Sequence, residues 1–141
     1  MVVSGRAALL AGLAAAAGLS ALSGCGGGES SSAAGPDIRG EWHGRLEQRG
    51  MQPFEVQATI RSLATGKRSA RVHYTGIDCS GHWTLLSRGV RGYRFREVID
   101  RGEGAACKGV GTVRVIPDDQ YLDYDFRGGG VESHGVLSRV D

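Results

Sequence analysis

Long apolar runs are missing from this sequence. The apolar stretch near its start, residues 7–22 (AALLAGLAAAAGLSAL), falls short of the roughly 20 residues that carry a helix across a bilayer. An excess of one charge is missing too: 17 basic residues face 15 acidic ones in 141. A near-neutral surface argues against a nucleic-acid binder and against a polybasic membrane binder, because both need clustered positive charge. A sustained 3.6-residue period is also absent, which excludes a helical domain. There is no Gly-x-Ser-x-Gly elbow and no phosphate-cradling loop before a helix, so no catalytic residue and no cofactor is expected, and the chain reads as a non-enzyme. Cysteine is scarce and odd in number, with Cys25, Cys79 and Cys107 alone, and none sits in a C-x-x-C metal spacing.

What is present begins with a leader. One positive side chain, Arg6, precedes the apolar stretch, and small residues follow it, as in a secretory signal peptide. Leu22-Ser23-Gly24-Cys25 resembles a bacterial lipobox, in which a peptidase cuts before a cysteine whose thiol has been acylated. The expectation is therefore a signal peptide over residues 1–24 and a lipid on Cys25. The alternative is an ordinary secretory site with Cys25 as a free thiol, an unusual thing to export. A single acyl chain binds a membrane marginally, so firm anchoring takes two or more, which the diacylglyceryl group of a lipoprotein supplies. Loss of Arg6 with the leader leaves 16 basic against 15 acidic residues.

Residues 26–36 (GGGESSSAAGP) offer no large apolar side chain to bury. A tether over 25–36 is expected, with a reach of roughly 17–20 Å at ~5–6 Å times the square root of length. With Cys25 assigned to lipid and the chain exported, Cys79 and Cys107 are left to form a disulfide in an oxidising compartment.

From Gly40 onward, apolar and polar residues alternate with period two, broken about every ten residues by glycine or Pro-Asp turns. Eight segments follow: GEWHGRLEQ, PFEVQATIRS, SARVHYTG, GHWTLLS, GYRFREVID, CKGVGTVRVI, YLDYDF and VESHGVLSRV. Short breaks make consecutive strands antiparallel neighbours. Residues 37–141 are thus expected to form one eight-stranded antiparallel up-and-down barrel, lipocalin- or calycin-like, with one disulfide; a flattened sandwich is the alternative. Cys79 precedes the fourth segment and Cys107 opens the sixth, at the same end. One strand separates them, so a bond requires the cysteines to be drawn together across the barrel mouth.

Of nine aromatic residues, eight share the inward phase and only Tyr121 points out. Gly44, Gly109, Gly111 and Gly135 share that phase, leaving room for large rings. This describes a packed core. The competing reading is a cavity lined by Trp42, Tyr74, Trp83, Tyr93, Phe95 and Tyr124 that holds a small apolar ligand. Glu97 and Arg139 break the pattern by facing inward, which suggests an interior ion pair, since an unpaired buried charge is costly. The four histidines, His43, His73, His82 and His134, all face outward. His73 with His82, and His43 with His134, are candidate cross-strand neighbours, but no third ligand accompanies either pair and no metal is expected.

The sequence also resembles a small β domain of actinobacterial exported proteins, found in lipoproteins and in the extracellular tails of membrane serine/threonine kinases. The likeness covers nearly all of residues 40–140. Its marks are G-x-W-x-G at Gly40, Trp42 and Gly44, C-x-G at Cys79 and Gly81, and the run Tyr93, Phe95, Glu97, Ile99. C-x-G returns at Cys107 and Gly109, and G-x-L-x-R closes at Gly135, Leu137 and Arg139. The resemblance implies a disulfide between the cysteines and no established activity. A more distant likeness to bacterial barrel inhibitors of proteases and lysozyme is architectural only. The combined expectation is a monomer at the outer face of the cytoplasmic membrane, anchored by lipid, that binds an envelope protein or glycan without catalysis. A lipocalin-like carrier is the alternative.

Overall fold

The computed structural model describes residues 35–104 and 106–141. The expected leader, Cys25 and the expected tether as far as residue 34 lie outside the described residues. Eight strands follow one another with no helix among the described residues: β1 (Gly40–Gln48), β2 (Phe54–Ile60), β3 (Arg68–Thr75), β4 (Cys79–Gly89), β5 (Gly92–Arg101), β6 (Val110–Asp118), β7 (Tyr121–Gly128) and β8 (Val131–Arg139). Each pairs antiparallel with its neighbours in sequence, and β8 returns to β1, so the sheet closes into an up-and-down barrel. The sandwich alternative is excluded by that closure.

The period-two pattern becomes burial. On β2, Phe54, Val56, Ala58 and Ile60 are buried while Glu55 and Gln57 are exposed, and the same alternation runs round the wall. All eight inward-phase aromatics are buried, and Tyr121 is 51% exposed. The β7–β8 hairpin turns through Gly129 and Gly130 at φ +57° and +79°. Positive φ at both central residues is what a type I′ turn requires, and glycine alone adopts it freely.

The inward glycines do two different jobs. Gly111 does make room for a ring: a Cβ there would lie 2.1 Å from a ring carbon of Phe126. Gly44 and Gly135 instead make room for backbone. A Cβ on Gly44 would meet the Val136 carbonyl oxygen at 2.2 Å, and one on Gly135 the Arg45 carbonyl oxygen at 2.3 Å. These two glycines let β1 and β8 come together, so they serve closure rather than ring volume. Gly109 lies just before β6, where a Cβ would meet the Glu103 carboxylate.

The barrel has two distinct ends. One carries the start of β1 and the end of β8. There Ile38 is buried, and the Trp42 indole N–H donates to its carbonyl at 2.9 Å. Gly35 and Pro36, expected in the tether, belong to this end: the Tyr93 hydroxyl donates to the Pro36 carbonyl. The other end carries the Cys79–Cys107 disulfide, with Cα atoms 6.5 Å apart. Cys79 is the first residue of β4, whereas Cys107 lies three residues before β6 begins, and that short lead lets it cross the mouth over β5. Among the described residues, the eight strands, the apolar core and the disulfide all lie between Ile38 and Arg139.

The link spans 28 positions. Replacing both cysteines with serine is expected to lower unfolding stability by about 3–4 kcal/mol with the strand content retained. Urea unfolding followed by circular dichroism checks this, and equal midpoints for the two proteins would count against it.

Candidate functional site

The six aromatics expected to line a ligand cavity fill the interior instead. Trp83, Tyr93 and Phe95 are fully buried, and Trp42, Tyr74 and Tyr124 nearly so. Phe95 packs between Trp83 and Tyr93, with ring centroids 5.4 and 6.4 Å away. Trp42 and Tyr93 serve the end where the chain enters. Tyr74, Trp83 and Tyr124 gather toward the disulfide end around one carboxylate, that of Glu97.

Glu97 is inward because β5 alternates without interruption from Tyr93 to Ile99. Its Oε2 accepts a hydrogen bond from the Trp83 indole N–H at 2.7 Å and another from the Tyr74 hydroxyl. With the Tyr74 proton committed to Glu97, the 3.0 Å contact between the two tyrosine hydroxyls assigns Tyr124 as donor to Tyr74. Among the described residues no buried side-chain polar atom lacks a partner. Burial drives the Glu97 carboxyl above its ordinary value, and the bonds from Tyr74 and Trp83 pull it partway back. Burial pushes both tyrosine hydroxyls well above theirs.

The expected Glu97–Arg139 ion pair does not form. Both residues have the inward phase, but phase fixes the face and not the height along the barrel. Arg139 ends β8 at the opposite mouth, where its side chain is exposed and clamps the incoming chain. Its guanidinium lies 4.4 Å over the Trp42 ring and donates to the Arg39 carbonyl at 2.8 Å. Beside it, the Arg39 guanidinium holds the exposed Asp37 carboxyl down to about 2. Glu97 is balanced by neutral donors in place of an opposite charge.

The space left above Glu97 is small. A cavity of about 20 Å³, bordered by Glu97, Gln48, Ser133, Tyr124, Phe126 and Cys107, sits under the disulfide mouth. That admits one water-sized sphere, for which roughly 10–15 Å³ suffices. Gln48 and Ser133, both buried, close its side through a 2.7 Å hydrogen bond from the serine hydroxyl. Their contribution was hidden because each is a polar residue at the far end of a strand.

The expected histidine neighbours are not paired. His73 faces Ser80 and His43 faces Ser138, while His134 lies across from Glu47. His82 instead contacts Asp100 through Nδ1 at 2.8 Å.

The outer wall departs most from expectation. Near-neutral net charge argued against clustered positive charge, yet the strands sort the charges by location. Arg88, Arg91, Arg94, Arg96 and Arg114 are all exposed around the β4–β5 hairpin and the adjoining β5–β6 wall. Arg94 stands directly opposite Arg114 across the strand pair. Most of the acids lie elsewhere, on β1, β2, β7 and β8 and on the turn before β7. Compared with known proteins, the chain matches no family model and no curated sequence.

Because the folded state holds the Glu97 proton more tightly than the unfolded state, ionisation of the unfolded carboxyl comes first as pH rises. Wild-type stability is therefore expected to fall with rising pH from about 4.5 until the folded carboxyl also ionises. Glu97→Gln removes that slope, so its melting temperature relative to wild type is expected to climb between about pH 4 and pH 8. Parallel melting curves across that range would contradict the assignment. Glu97→Leu strands two buried donors and is expected to cost about 1–3 kcal/mol for each.

Proposed function

We propose that this chain is a lipid-anchored, non-catalytic binding module of the cell envelope, held at the outer face of the cytoplasmic membrane through Cys25. It engages its partner, an envelope protein or glycan, through the exterior of the barrel. The observation that carries this reading is the filled interior. A ligand-carrying barrel needs a pocket of roughly 300 Å³ or more, and the described interior offers about 20 Å³. Glu97, Tyr74 and Tyr124 border that small space, which leaves no room for a substrate to approach Glu97. The closed wall also lacks a free strand edge, which agrees with a monomer. The likeness to the exported actinobacterial β domain suits the same setting and adds no activity of its own.

Anchoring and binding are tested separately. Cys25→Ser is expected to move the protein from the membrane fraction to the supernatant and to abolish incorporation of labelled palmitate. Palmitate incorporation that persists in Cys25→Ser would remove the anchor. For the interior, titration with a fluorescent fatty acid is expected to leave the emission of Trp42 and Trp83 unchanged. Saturable one-to-one quenching would restore the carrier reading.

A further inference from the structure

The wall of arginines has three features that a merely solvated face does not need. Among the described residues, none of Arg88, Arg91, Arg94, Arg96 and Arg114 is ion-paired. Two of them, Arg94 and Arg114, face each other across β5 and β6, an arrangement that destabilises a sheet unless an anion sits between or above the pair. One carboxylate is in register with the pair: Asp125, opposite Arg114 on β7, which forms no ion pair with it.

The second feature is an apolar tip. Val90 is 80% exposed at the turn of the β4–β5 hairpin, flanked by Arg88 and Arg91, and Leu86 is 42% exposed at the irregularity between Leu85 and Ser87. A bare aliphatic residue between guanidinium groups is suited to a surface that is charged outside and greasy within. The third is position. Tyr93 of the same hairpin binds the Pro36 carbonyl, and a Cβ on Gly35 would lie 3.1 Å from the Gly89 carbonyl oxygen. The chain that runs back toward Cys25 thus meets the barrel beside this hairpin.

We propose that the β4–β5 hairpin and the Arg94–Arg114 wall dock the barrel on an anionic phospholipid surface. Arg88 and Arg91 meet the headgroup phosphates, Val90 enters the interfacial layer, and Arg94 and Arg114 share phosphates along the wall. Docked in this way, the barrel presents its disulfide mouth away from the bilayer. The proposal uses the anchor reading to say which membrane is near, but the contact itself does not depend on acylation.

The test uses the unacylated chain from Gly26 to Asp141, so that failure of docking and failure of anchoring are seen apart. Vesicles of equal phosphatidylglycerol and phosphatidylcholine are compared with phosphatidylcholine alone by cosedimentation at low salt. Binding to the anionic vesicles alone is expected, weakening as salt shortens the Debye length. Each basic residue near such a surface is worth about fivefold in partitioning, so Arg91→Glu with Arg94→Glu is expected to weaken binding more than tenfold. Arg45→Glu on the opposite wall should weaken it far less, and the circular dichroism of all variants should match wild type. No binding to anionic vesicles, an equal loss with Arg45→Glu, or binding to soluble polyphosphate without vesicle binding would each overturn the proposal.

Discussion

Pairing of β1 with β8 is the constraint from which the remaining structure follows. Seven registered residue pairs, from Trp42 with Arg139 to Gln48 with Ser133, join the first strand to the last. The approach is close enough that Gly44 and Gly135 have no room for a Cβ. Closure leaves no unpaired strand edge and encloses a volume that eight strands make just wide enough for side chains to fill. Once that volume is fixed, each inward residue must pack against the others or be solvated by them.

Glu97 shows what this demand does to chemistry. A carboxylate inside a filled barrel is far from water, so its oxygen must be satisfied by groups already there. Tyr74, Trp83 and Tyr124 each combine a large apolar body with one polar hydrogen, and together they supply both packing and hydrogen bonds. The interior therefore commits the Tyr74 and Trp83 hydrogens to its own carboxylate and the Tyr124 hydrogen to Tyr74. On the outside, the charged heads of neighbouring strands stand exposed.

Much of the fold could be read from local pattern. Eight alternating segments, hairpin-length breaks and glycine pairs such as Gly129-Gly130 define strands and turns through short-range geometry. The inward aromatics follow from the same period, and the Cys79–Cys107 bond from the expectation of export and the remaining count. Gly44 and Gly135 are legible as inward, but their purpose is not, because it depends on pairing with a strand far off in sequence. Gln48 and Ser133 were invisible as a pair for the same reason.

The sequence alone determined which face of the sheet each side chain occupies, since alternation is a property of neighbouring residues. Tertiary structure decided height and adjacency. It set Arg139 at the opposite mouth from Glu97, placed neutral donors around the carboxylate, and gathered five unpaired arginines beside the point where the chain enters. Register between strands and closure of the barrel fix those distances, and net charge sums over the whole chain without recording where its charges stand.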